Sequence, residues 1–167
     1  MVWEPSREGI DHINIYSKSS LTLGRALSNF FHSVFIHPKY GKFNSVEGYY
    51  YWWLTGRMHD ELKELHGFKA KEFGESKEAV IKVTKKFKEE MQYAVGLKVL
   101  QNEYIQNLMI KSSLPFAHYY YYGKPNLNPK VYDRSKKDDY LIDACETLRA
   151  ELKRNGKFDK VELKLIQ

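Results

Sequence analysis

At 167 residues, with 43% hydrophobic and 29% charged side chains, the chain is long enough to bury a core of its own and too apolar for an intrinsically disordered polypeptide. A formal charge of +6 favours polyanionic partners such as nucleic acid, nucleotides or phosphorylated metabolites, and the lone Cys145 excludes an internal disulfide. No apolar run approaches membrane-spanning length, and Glu4, Glu8 and Asp11 interrupt the stretch that a signal peptide would keep apolar, so a cytoplasmic protein with no membrane partner is expected. The composition departs from average in its thirteen tyrosines, nine phenylalanines and three tryptophans. Such rings suit stacking pockets and partner surfaces, and they equally suit half-wet core packing.

Taken in chain order, His12 to Tyr16 alternates apolar Ile13 and Ile15 with polar neighbours, the period of a strand. Val161, Leu163 and Leu165 alternate in the same way, so the two termini are expected to pair in a small sheet. Ser45 is a fitting N-cap for a helix running to about Thr55, with Gly56 as its stop. Met58 to Leu65 reads as a second short helix closed by Gly67. Ser76 is expected to open the longest helix, with Val80, Val83, Phe87 and Met91 at helical spacing and an interruption at Gly96. A further helix is expected from Val99 to Ile110. Residues 123 to 137 read as a long polar loop of the kind that serves as a lid or binding loop. Asp138 to Arg154 is the clearest amphipathic helix, with Leu141, Ala144, Cys145, Leu148 and Leu152 on one stripe. The pattern predicts a single, mainly α, compact helical domain over residues 1–167, with a small β element near the termini.

Three groups of residues bear on chemistry. Glu47 sits in the first turn of the aromatic helix, where the dipole favours a carboxylate, so it is expected to be ionised. An ionised carboxylate there either serves the helix alone or stabilises positive charge on a ribose and activates water. The Ser28-Asn29 pair, held between Leu27 and Phe30, is either a turn brace or a pair of ligands for ribose hydroxyls. His118 to Tyr122 brings one histidine and four tyrosines to the edge of the polar loop, where two of the rings could line a pocket. The six histidines never fall at metal-ligand spacing with carboxylates, and there is no glycine-rich phosphate loop, so neither a metal nor a cofactor is expected.

These residues, read in order, resemble the NADAR family, also called YbiA-like. Tyr16-Ser17 stands where that family has an aromatic pair or a Tyr-Gly/Ser pair. Leu27-Ser28-Asn29-Phe30 is similar to its Leu-Ser-Asn-Phe motif. Gly41-x-Phe43-x-Ser45-Val46-Glu47 is similar to its turn and helix start, and Leu141 to Leu152 with Arg149 to its closing helix. The resemblance implies an N-glycosidase that hydrolyses an N-ribosyl bond. The substrate would be an ADP-ribose conjugate of a base or protein, or a ribosylamino intermediate related to riboflavin synthesis. It implies Glu47 as the catalytic group, stabilising a ribosyl cation or orienting water. Ser28, Asn29 and Phe30 would hold ribose, Tyr16 or Tyr122 with Gly123 would stack a ring, and Lys98 or Lys124 would meet phosphate.

The chain departs from the family pattern where Gly48 and Tyr51 replace its histidine and glutamine, where Leu54 replaces a lysine, and where Tyr122-Gly123-Lys124 replaces a Trp-Gly-Asp-like motif. Two alternatives therefore stand beside the enzyme: a catalytically impaired binder of ADP-ribose or nucleic acid, and a protein-interaction module with an aromatic surface.

Overall fold

The computed structural model describes residues 3–135 and 139–155. Among the described residues, six α-helices and six short strands follow a 3-10 turn at Pro5–Arg7. They run β1 (Ile13–Asn14), α1 (Thr22–Leu27), β2 (Phe35–His37), β3 (Gly41–Phe43), α2 (Val46–Leu54) and, after a second 3-10 turn at Asp60–Glu64, α3 (Gly67–Glu75). Then come α4 (Lys85–Leu100), α5 (Glu103–Ile110), β4 (Phe116–Ala117), β5 (Tyr119–Tyr122), β6 (Lys130–Asp133) and α6 (Tyr140–Asn155). Helices predominate among the described residues, and the strands form three two-stranded sheets. No helix among those residues is long and apolar enough to cross a membrane.

The strand near the amino terminus finds a different partner from the one its alternation predicts. β1 pairs in parallel with β4, Ile13 opposite Phe116 and Asn14 opposite Ala117. The expected partner at Val161 to Leu165 lies outside the described residues. Polar groups fix the approach to β1. The Glu8 carboxylate accepts from the Asn14 amide (2.5 Å), the Ser19 hydroxyl (2.8 Å), and the amide and hydroxyl of Ser20 (both 2.9 Å). The fully buried His12 ring bridges Asp11 and the Tyr119 hydroxyl, 2.6 Å to each, which ties the segment to β5.

α2 forms where the sequence places it. The Ser45 hydroxyl accepts from the Gly48 amide at 3.0 Å, and Gly56 ends the helix with φ +85°. Val46, Tyr49 and Trp52 make its buried stripe against Phe35 and Phe43, while Glu47, Tyr50 and Tyr51 lie one step around the helix.

The next segments depart from their periodicity. Met58 to Leu65 tightens into the 3-10 turn, and Gly67 opens α3 instead of closing a helix. The expected start at Ser76 is displaced to Thr84, whose hydroxyl caps α4 by accepting from Phe87. The Val80 and Ile81 amides instead bond the Leu54 carbonyl at the end of α2, and Val80 and Val83 are left exposed. An amide committed to a remote carbonyl is lost to the helix ladder, which is why the spacing of these valines does not become a helix. Gly96 lies buried within α4 without interrupting it, and α5 starts at Glu103 under the Asn102 side chain.

α6 buries the whole predicted stripe, Leu141, Ala144, Cys145, Leu148 and Leu152. Each of the larger side chains contributes about 1.5–3 kcal/mol by leaving water. The expected loop of 123 to 137 holds β6, which pairs antiparallel with β5 as a hairpin. Buried apolar residues from Ile13 to Leu152 form one continuous cluster.

Gly74 shows how closely α3 lies on α2: a Cβ there would stand 2.1 Å from Cγ of Tyr51. Gly74→Ala should therefore lower unfolding free energy by about 1–3 kcal/mol despite alanine's higher helix propensity. A urea titration checks the sign, since a loosely packed α3 would give a gain.

Candidate functional site

The Ser28-Asn29 turn is built from backbone outward. At the end of α1 the Ser28 hydroxyl accepts from the Phe30 amide at 3.3 Å, and the Ser28 carbonyl accepts from the Phe31 amide at 3.0 Å. The same carbonyl accepts from Lys98 Nζ at 2.9 Å. One residue on, the Asn29 carbonyl accepts the Glu47 amide at 2.9 Å. That bond satisfies one of the free amides at the amino terminus of α2 and sets the turn against Glu47.

The Asn29 side chain donates from Nδ2 to the Tyr140 hydroxyl at 3.0 Å, and its buried Oδ1 has no hydrogen-bond partner among the described residues. Loop, α2 and the first turn of α6 thus meet at one place. The half-buried Glu47 carboxyl has neither a hydrogen bond nor an ion pair among the described residues. Its surroundings are tyrosines. Burial raises the hydroxyls of Tyr50, Tyr51, Tyr120 and Tyr140, and the Glu47 charge adds to the rise at each, so all four lie within its electrostatic reach.

Glu47 itself departs from expectation. Burial pushes its carboxyl from the ordinary 4.5 up to about 7, with Lys71 opposing the shift and Glu75 adding to it. The helix end does not hold it ionised, because the nearest amide, its own, is already taken by the Asn29 carbonyl and no side chain among the described residues pairs with the carboxyl. Burial thus favours the neutral form and moves the range in which the group gives or takes a proton toward neutral pH.

Tyr16 is half-buried and packs on Tyr120 and Tyr121, with ring centroids 5.4 and 5.8 Å apart. Through Tyr120 it borders the Glu47 niche. Phe30 is half-buried in the turn beside the start of α3. Lys98 is corrected: at 1% exposure it lies inside the molecule, its ammonium under the Ser28 carbonyl and 5.6 Å from the Phe31 ring. It holds the turn and cannot reach a phosphate in solvent. Burial lowers its pKa from 10.5 to about 7.

Tyr122, Gly123 and Lys124 are also corrected. All three are exposed, and Tyr122 packs on Tyr132 at the hairpin turn, while Tyr120 is the tyrosine of β5 within reach of Glu47. Tyr120 and Tyr122 share a face of β5, and it is position along the strand that separates them, Tyr122 standing two residues further on at the hairpin end.

Tyr140 went unread in the sequence, because it opens the amphipathic helix and so resembles a half-buried edge residue. Tyr120 lies within the singled-out His118 to Tyr122 cluster and Tyr50 within the aromatic helix, but nothing in the sequence marks which rings approach Glu47. A cleft of about 460 Å³ between the first turns of α4 and α6 also has Tyr140 in its wall, together with Lys88 and Gln92, but neither Glu47 nor Asn29. Among the described residues no His, Cys, Asp and Glu group is arranged to hold a metal ion. Comparison with protein families, with curated proteins and with solved structures gave no match to this chain.

Two pH effects follow from the buried groups. Between pH 4.5 and about 7 the native protein keeps the Glu47 proton that the unfolded chain releases, so stability falls as pH rises across that window. Glu47→Gln should be more stable than the parent at about pH 8, by on the order of 1–3 kcal/mol, and nearly equal to it at about pH 4. Lys98 acts from the other side: between about 7 and 10.5 the unfolded chain holds a proton the native state lacks, so stability falls as pH falls. Denaturant unfolding of parent, Glu47→Gln and Lys98→Met across pH measures both limbs.

Proposed function

We propose that the Glu47 niche is the site of an N-glycosidase that hydrolyses an N-ribosyl bond, on a fold of the NADAR or YbiA-like kind acting in the cytoplasm. The supporting observation is the Glu47 carboxyl, half-buried and unpaired among tyrosines, beside an Asn29 oxygen that also lacks a partner. A carboxyl that serves only its helix gains from solvent or from free amides; one left unpaired in a tyrosine-lined niche costs stability and is typical of a working site.

The substrate class is ADP-ribose joined to a base or a protein, or a ribosylamino intermediate related to riboflavin synthesis. As the bond from ribose C1′ to nitrogen lengthens, positive charge gathers on C1′ and the ring oxygen. Ionised Glu47 stabilises that charge, or takes a proton from the water whose oxygen bonds to C1′. The hydroxyl ends on C1′ and a proton on the departing nitrogen. The Tyr140 hydroxyl accepts from Asn29 and keeps its own hydrogen to donate. With Asn29 Oδ1 it offers a donor and an acceptor to ribose, while Tyr16 and Tyr120 offer ring faces.

Glu47→Gln should lower release of free base from an ADP-ribosylated guanine substrate by on the order of a hundredfold or more, with the fold intact by circular dichroism. In the parent, kcat/KM should rise with pH through about 7 and then level, as the carboxyl ionises. Equal turnover in the variant removes Glu47 from the mechanism. A parent inactive on every N-ribosyl substrate favours a binder without turnover.

A further inference from the structure

We infer that the outer face of the β5–β6 hairpin is a docking platform for single-stranded nucleic acid, a surface that goes beyond the glycosidase reading and does not require it. In an antiparallel pair, opposed residues share a face and successive residues alternate. Tyr120 opposes Tyr132, and Tyr122 opposes Lys130, so these four share one face. Arg134 continues that face, since its amide extends the ladder to the His118 carbonyl at 2.8 Å.

All five side chains are exposed, with Tyr122 at 68%, Tyr132 at 42% and Tyr120 at 37%. Their opposite numbers, Tyr119, Tyr121, Val131 and Asp133, are buried or half-buried. The hairpin therefore turns three rings and two cations outward and no carboxylate.

Two acids that flank the face among the described residues are engaged elsewhere. Asp133 accepts from the Ser135 amide at 2.8 Å, and Asp139 pairs with the His118 ring at 2.5 Å. Lys130 Nζ lies 5.1 Å from the Tyr132 centroid, and the Arg134 guanidinium 5.8 Å from that of Tyr120. Each cation thus stands beside a ring, the pairing that lets one nucleotide stack its base and place its phosphate together. Alternate residues on a strand are about 7 Å apart, so successive rings meet successive unstacked bases.

The charge selects the occupant. Tyrosine and arginine are also common where proteins meet, so the rings alone do not choose the occupant, and the two cations with no carboxylate beside them do. Two cations that form no ion pair among the described residues, in a chain of net charge +6, match a polyanion, and tyrosine faces match exposed bases rather than a closed duplex.

The test is fluorescence anisotropy with a labelled oligothymidylate of about twelve nucleotides. The parent should bind, and Tyr122→Ala with Tyr132→Ala should weaken binding at least tenfold, while Tyr122→Phe with Tyr132→Phe retains it. Lys130→Gln with Arg134→Gln should reduce the slope of log affinity against log salt by about 1.4. Turnover on an N-ribosyl substrate should be the same in the Tyr122→Ala, Tyr132→Ala pair as in the parent, since neither ring borders Glu47, so loss of turnover and loss of docking are read separately. The proposal is overturned by an absence of binding at about 50 mM salt. It is equally overturned by full binding in the alanine pair, by equal competition from inorganic polyphosphate, or by a tyrosine-dependent dimer in sedimentation, which would give the face to a second copy.

Discussion

The bond from the Glu47 amide to the Asn29 carbonyl is the contact on which the rest of the site depends. It joins the end of α1 to the start of α2 and turns one free helix amide inward to the protein. Ser45 completes the same helix start from the other side, accepting the Gly48 amide and donating to the Leu65 carbonyl at 2.9 Å. With its first turn satisfied by backbone and a cap, α2 does not need its own glutamate as a dipole partner. The carboxyl is thereby released from a structural duty and left facing the tyrosines.

Two residues grip adjacent carbonyls of one turn, Lys98 by its side chain and Glu47 by its backbone amide. Lys98 reaches the Ser28 carbonyl from the core, and the Glu47 amide reaches the Asn29 carbonyl from α2. Burial moves the lysine down and the carboxyl up, each to about 7. Among the described residues, the Glu47 carboxyl makes no hydrogen bond to the turn, which is held by the lysine Nζ and by backbone amides. Cys145, whose thiol burial pushes up to about 12, shares the lysine's surroundings and stays a small apolar filler.

Helices whose apolar residues face one way were legible in the sequence. α6 has its stripe where the period puts it, and α2 has its cap and stop at Ser45 and Gly56. Elements set by long-range partners were not. β4 is two residues long and carries no alternation to read, and α3 owes Gly74 to the Tyr51 ring. Val80 and Val83 imitated a helix while their segment was claimed by the Leu54 carbonyl. Within the site, Glu47 and Asn29 could be picked out because each is the only polar residue of its kind beside apolar neighbours. Tyr140 and Tyr120 could not, since only the pairing of β5 with β6 and the first turn of α6 bring them there. A single sequence carries no signal for which of many identical rings will converge.

The hydrogen bond between Asn29 and Tyr140 spans 111 positions of the chain. Contacts of that separation form late, because the intervening loop must be closed before they are rewarded. Until β5 and the first turn of α6 dock, Glu47 has only the rings of its own helix, Tyr50 and Tyr51, beside it. Arrival of Tyr120 and Tyr140, rather than formation of α2, is the event that completes the burial of the acid.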